Sequence, residues 1–214
     1  VTDDVSAPTV SGVTSGSSNA TYGIGTVVPI LVQFNEAVTV VGTPTIELET
    51  GTTDATVSYT SGSGTDTLTF NYTVANTHVA ADLDYKATTS LALPVGATIR
   101  DSLGTNATLT LATPGASNSI ADNQAVVIDG VRPVASSTAA NAGTRTITIT
   151  TSEAVSGTPA ATDFTVLVNS AANVVTAVGV GTASTDSTAT TIQLTLTDVI
   201  PNSATVTWQY AQDA

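Results

Sequence analysis

The sequence predicts an all-β protein built from two tandem antiparallel β-sandwiches. Short runs in which apolar residues alternate with Thr and Ser recur along the whole chain, and Gly, Asn, Ser and Pro separate them. No stretch carries a sustained apolar stripe at helical spacing. A set of short motifs occurs twice in the same order, which favours two similar domains over one large one.

In the first half, the alternating runs predict strands that are punctuated by turn-forming residues. Pro29 is expected at the entry of the first strand, because proline cannot donate a hydrogen bond to a ladder. The stretch 61–66 is rich in Gly and Ser, and this predicts a hairpin between the runs on either side of it. The predicted strands of this half are 30–34, 45–49, 55–59, 67–72, 107–111 and 125–128.

The second half shows the same alternating pattern and a second copy of the short motifs. A Glu-Ala-Val sequence begins at Glu36 and again at Glu153, and a Gly-Thr-Pro sequence follows each of them. Upstream of each, an acidic residue shortly precedes a proline, at Asp4 and at Asp129. The predicted strands of this half are 146–150, 164–168, 174–178, 191–196 and 204–210.

These repeats divide the chain into a first sandwich, residues 1–130, and a second, smaller one, residues 131–214. A glycine and a proline at the boundary are typical of a short, semi-rigid linker. The second sandwich is expected to be incomplete at its C-terminus, and the chain is interpreted as part of a longer protein.

The charge is strongly negative, with 17 acidic residues against 4 basic ones and a net charge of −13. Nucleic acid and anionic membrane surfaces are therefore excluded as partners, because both require clustered Lys and Arg. No apolar run is long enough to cross a bilayer, so direct membrane insertion is not expected. A negative surface attracts cations, and Ca²⁺ is the ion that carboxylate and carbonyl oxygens suit.

The sequence does not predict an enzyme, and no catalytic or cofactor-binding residue is assigned. The chain has one His, His78, and no Cys. No nucleophile motif lies near His78, and a catalytic triad needs a base with partners on both sides. Paired carboxylates for glycoside hydrolysis remain conceivable, but aromatic residues make up only 4% of the chain, too few for a sugar-stacking cleft.

Acidic residues at strand ends and in loops are candidate calcium ligands. Asp82 and Asp84 are two residues apart, so in an extended segment their carboxylates fall on one side. Asp101 and Asp3 are further acidic candidates. The alternative is that each acid is solvated or caps a turn. The predicted metal ligands are Asp4, Glu36, Asp82, Asp84, Asp129 and Glu153.

These motifs resemble those of large bacterial surface proteins. The first half, with its Glu36 motif, its glycine-rich hairpin at 61–66 and its Asp82-Leu83-Asp84 sequence, resembles the Ig-like or cadherin-like repeats of giant adhesins. The second half, with its Glu153 motif, is similar to the repeat named after a cyanobacterial surface protein needed for swimming.

The resemblance implies a secreted or cell-surface tandem repeat, often stabilised by calcium. The expected function is structural or adhesive, in an adhesin stalk, a surface layer or a filament. Neighbouring repeats or copies of the same protein are the expected partners. The alternative is a module that binds glycans or a host surface through loops at one end of the sandwich.

Overall fold

The computed structural model describes residues 6–155, 159–183 and 186–210. They form an all-β protein, as predicted, in two compact units, Val1–Arg132 and Pro133–Ala214. The repeated motifs predict a boundary between residues 130 and 131, and the two units divide between Arg132 and Pro133.

Strands β1 to β11 and one short helix lie in unit 1. They are β1 Val10–Ser15, β2 Ala20–Gly23, β3 Val27–Val41, β4 Thr45–Glu49, β5 Ala55–Ser61, β6 Thr65–Thr73, β7 Val79–Ala80, β8 Asp84–Tyr85, β9 Leu91–Ala92, β10 Thr98–Arg100, α1 Ile120–Asn123 and β11 Val126–Asp129.

The main sheet of unit 1 is antiparallel, in the order β1-β3-β6-β5-β4-β8, with β10 on β3 and β9 on β4. Strand β5 belongs to two ladders: its first residues pair with β4, and Tyr59 and Ser61 pair with β6. The β5–β6 pairing confirms the predicted hairpin. Inward residues of both halves of the sheet, such as Phe70 on β6 and Ile46 on β4, belong to a single buried core. The two halves therefore enclose that core.

Strand β3 is longer than the sequence suggests. Its alternation places Val28, Ile30 and Val32 in the core. The predicted start at residue 30 was wrong, because Pro29 lies inside the strand and pairs with β6. The proline is tolerated there because the ladder between β1 and β3 ends beside it, where its carbonyl accepts the Gly16 N–H.

A small mixed sheet, in the order β2-β11-β7, departs from the predicted antiparallel pattern because β2 and β11 run parallel. Gly130 follows β11, and its N–H donates to the His78 carbonyl at 2.7 Å. A Cβ at Gly130 would lie 2.3 Å from the Ala75 carbonyl oxygen. Glycine is thus needed here for close packing, not for a turn.

Unit 2 has its own core and two sheets, in the orders β12-β13-β17-β16 and β15-β14-β18. Trp208 packs on this core and donates its indole N–H to the Thr138 hydroxyl at 3.2 Å. A 3-10 turn at Ala161–Asp163 precedes β14. The strands are β12 Ala135–Ala140, β13 Thr146–Thr151, β14 Phe164–Val168, β15 Ala171–Ala172, β16 Val175–Ala183, β17 Asp186–Leu196 and β18 Val206–Tyr210.

Two buried tyrosines make the stability of unit 1 sensitive to high pH. Burial raises the pKa of Tyr72 to about 12, and burial together with the Asp84 carboxylate raises the pKa of Tyr85 to about 12. An unfolded tyrosine ionises near pH 10, so this contribution is complete below pH 10 and disappears between about pH 10 and 12. We expect the free energy of unfolding to fall across that interval.

A spectrophotometric titration checks this expectation. Of the five tyrosines, two should ionise with a pKa near 12, and Tyr85→Phe should remove one of those two. Ionisation of all five in one step near pH 10, with the fold intact, would contradict it.

Candidate functional site

The repeated motif corresponds to a repeated local structure, which we call the proline clamp. In unit 1, the Asn35 N–H donates to the Thr9 carbonyl at 3.0 Å, and the Thr9 N–H donates to Asn35 Oδ1 at 2.7 Å. In unit 2, the Ser152 N–H donates to the Val134 carbonyl at 2.8 Å, and the Val134 N–H donates to Ser152 Oγ at 3.1 Å. Each clamp joins the residue after a proline to the residue before the repeated glutamate.

The clamps place the two repeated glutamates in equivalent positions. Glu36 follows Asn35 in an irregular stretch of β3, where the register with β6 shifts between Gln33 and Val38. Glu153 follows Ser152 directly after β13. One carboxylate oxygen of each, Oε1, is buried.

Asp101, one of the further acidic candidates from the sequence, lies in unit 1 directly after β10. Its side chain is 6% exposed. Oδ1 accepts the backbone N–H groups of Leu103 at 2.8 Å and Thr105 at 2.7 Å. Oδ2 is buried, and no hydrogen bond within the described residues reaches it. Burial tends to raise the pKa of Asp101, but hydrogen bonds from Thr105, Leu103 and Gly104 outweigh that effect and lower it, so the group is a carboxylate at neutral pH.

Asp84 serves as an internal cap for backbone amides. Its Oδ1 accepts the N–H groups of Tyr85 at 2.9 Å and Ile120 at 3.2 Å, and its Oδ2 accepts the Gly115 N–H at 2.8 Å. Asp82 is exposed, and its Oδ1 accepts the Val126 N–H at 3.3 Å. The two carboxylates of the Asp82-Leu83-Asp84 sequence therefore contact different segments of the chain.

The remaining predicted ligands lie apart from these. Asp129 ends β11, and its Oδ1 accepts the Val131 N–H at 3.2 Å. Val79 pairs with it across the β7–β11 ladder. Asp4 lies outside the described residues, as does Asp3. Within the described ranges, no three carboxylate, imidazole or thiol side chains lie close enough together to hold a metal ion by themselves.

His78 is half-buried and bonded to its surroundings. Its Nδ1 lies 2.9 Å from the Tyr72 hydroxyl and 3.4 Å from the Ala75 N–H. Because the Ala75 N–H can only donate, Nδ1 is an acceptor in that bond, and the Tyr72 hydroxyl therefore donates to it. The His78 and Tyr72 rings are nearly parallel, with centroids 5.8 Å apart.

A polar cleft of about 360 Å³ opens beside His78. It lies where β5 and β6 diverge, because those strands pair only near the hairpin. Sequence patterns give no sign of such a divergence. The lining residues are Asp54, Ala55, Thr56, Val57, Ser58, Asn71, Tyr72, Thr73 and His78.

No protein-family model matches the chain, and no curated protein matches it. Across the described residues, no helix is both long enough and apolar enough to span a membrane.

Asp84 yields a prediction that separates a cap from a calcium ligand. In Asp84→Asn an amide NH₂ replaces a carboxylate oxygen, so one buried backbone N–H loses its acceptor. We expect a loss of about 1–3 kcal/mol in the free energy of unfolding, equal in calcium and in chelator, measured by urea denaturation.

Asp66→Asn is the matched control, because Asp66 is exposed and accepts a bond only from the Thr67 hydroxyl among the hydrogen bonds described. This control should change stability little. A loss for Asp84→Asn that appears only in calcium would show instead that Asp84 is a ligand.

Proposed function

We propose that the chain is a pair of tandem Ig-like β-sandwiches from an extracellular surface protein, with a structural or adhesive role in a stalk, surface layer or filament. The observation that carries this proposal is the proline clamp, which recurs in both units with a glutamate in the same position. A local structure repeated in successive units is typical of tandem-repeat proteins, whose units are variants of one module.

Calcium is the proposed stabilising ion. The chain carries a net charge of −13, and acids with buried oxygens lie next to the clamps at Glu36 and Glu153. A bound cation offsets the negative charge of the chain, and an ion that binds only the folded state stabilises that state. Neighbouring repeats, or copies of the same protein, are the partners that this function implies.

Differential scanning calorimetry tests the calcium requirement on the whole chain. With calcium well above its dissociation constant, we expect the melting temperature to rise by about 5–10 °C relative to chelator. Glu36→Gln and Glu153→Gln should each remove part of the rise, because each glutamate belongs to a different unit.

Asp66→Asn, which removes the same charge from an exposed hairpin, should leave the rise unchanged. An equal rise with magnesium would argue for general charge screening. No rise with calcium would refute the calcium-stabilised module.

The cleft favours a second candidate function, recognition of a glycan. Its rim offers hydroxyls, the Asn71 amide and the Asp54 carboxylate, which are groups that hydrogen-bond to sugars. Asp54 is held in place by Lys86, which donates to its carboxylate and lowers its pKa. No exposed aromatic ring is available in the lining for stacking, since Tyr72 is buried.

A glycan array tests this alternative. A reproducible glycan hit would establish binding at the cleft if Asn71→Ala abolishes it and the control variant Asn202→Ala, in unit 2, still binds. Binding that both variants keep would exclude the cleft, and no hit would leave the structural role as the better supported one.

A further inference from the structure

We propose that unit 1 binds a divalent cation, calcium by its oxygen chemistry, between Asp101 and Glu36 at the end of the unit that carries its proline clamp. This inference rests on the proposed function, in which calcium stabilises the modules, and it identifies the side chains that hold the ion.

Asp101 supplies the first argument. It is a carboxylate, 6% exposed, with one oxygen satisfied by its own turn and the other, Oδ2, buried without a hydrogen-bond donor in the described part of the chain. A buried anionic oxygen is costly unless a donor or a cation compensates it. The adjacent basic residue does not do so, because Arg100 Nε donates to Asn106 Oδ1 at 2.8 Å.

The strand faces supply the second argument. Ile99 and Asp101 are buried while Arg100 between them is exposed, so Asp101 points to the core side of β10. Across the ladder, Ile99 pairs with Val40 and Arg100 with Thr39.

On β3, Phe34 and Val38 are buried and Glu36 is partly buried, whereas Asn35 and Ala37 between them are exposed, so Glu36 shares the inward face of the strand with Val38 and Val40 although the register with β6 shifts here. The side chains of Asp101 and Glu36 therefore lie on the same face of the same sheet.

Their spacing suits a shared ion. Continuing the ladder by one step places Asp101 opposite Val38, two residues from Glu36. Strand spacing and rise then separate the two Cα atoms by about 8 Å. The side chains are long enough to bring one oxygen of each within the roughly 2.3–2.6 Å that calcium requires.

Surrounding backbone encloses this place. Four backbone contacts form a closed ring around it. They are the pairing of Thr39 with Arg100, the bridge between Arg100 and Asn106, the bridge between Thr108 and Thr9, and the clamp between Thr9 and Asn35. Such a ring restrains the two acids before any ion arrives. Backbone carbonyls and water would complete a shell of six to eight oxygens, which calcium accepts in flexible geometry and magnesium does not.

Isothermal titration calorimetry of the whole chain with calcium chloride tests the assignment. The wild type should bind calcium, and Asp101→Asn should weaken one class of site at least tenfold. This variant retains the Oδ1 acceptor for Leu103 and Thr105, which favours folding. Glu36→Gln should weaken the same class, and Asp66→Asn should bind as wild type.

The outcomes separate the site from the wider function. If Asp101→Asn and Glu36→Gln both bind calcium with the affinity of the wild type, this site is overturned. The calcium-stabilised module still stands in that case, provided that calcium raises the melting temperature of the wild type. Absence of calcium binding by the wild type would overturn both. If Asp101→Asn does not fold, ¹¹³Cd NMR spectra of the wild type and of Glu36→Gln test the site instead. Loss of one cadmium resonance in Glu36→Gln would support the site, and identical spectra would overturn it.

Discussion

The central constraint on this structure is the compensation of buried carboxylates in a chain with 17 acidic and only 4 basic residues. Water cannot reach such groups, so backbone amides, hydroxyls or cations must compensate them. Asp84 represents the first solution, with backbone N–H groups from Tyr85, Gly115 and Ile120 around its two oxygens. Asp101 represents an incomplete version, in which amides reach one oxygen only. This difference separates an acid that holds the fold together from one suited to a bound ion.

The proline clamp connects that chemistry to the architecture. In unit 1 it ties the incoming chain to the strand that carries Glu36, and in unit 2 it ties the incoming chain to the segment directly after β13, which carries Glu153. The glutamate is therefore positioned by the same contact that begins the module. An ion bound beside the clamp would stiffen the start of the unit, and stiffness is the property that a stalk or surface array requires. The proline before each clamp and the glutamate after it recur in the sequence, whereas the clamp residues themselves differ between the two units.

Much of the fold could be predicted from the sequence, because alternation and turn residues are local signals. The hairpin at 61–66 follows from its glycines, and Ile147 and Ile149 of β13 are buried as their spacing indicates. The start of β3 was misplaced, since the tolerance of Pro29 depends on where the neighbouring ladder ends. The parallel pairing of β2 with β11 joins residues about a hundred positions apart, and no local pattern reports it.

The candidate site was harder to predict. Glu36 and Glu153 are visible as repeated letters, but Asn35 and Ser152, which form the clamps, differ chemically and carry no repeat signal. Asp84 looks like a ligand in the Asp82-Leu83-Asp84 sequence, whereas two of its three donors come from residues 31 and 36 positions away. Whether an acid has an unsatisfied buried oxygen, as Asp101 has, is a property of the packed structure alone.

The account is tested most directly by the anomalous scattering of crystals grown in calcium. It predicts a calcium peak about 2.3–2.6 Å from Asp101 Oδ2, with a Glu36 oxygen in the same coordination shell. A map with no such peak, and with an ordered water or a protein donor on Asp101 Oδ2 at saturating calcium, would contradict it.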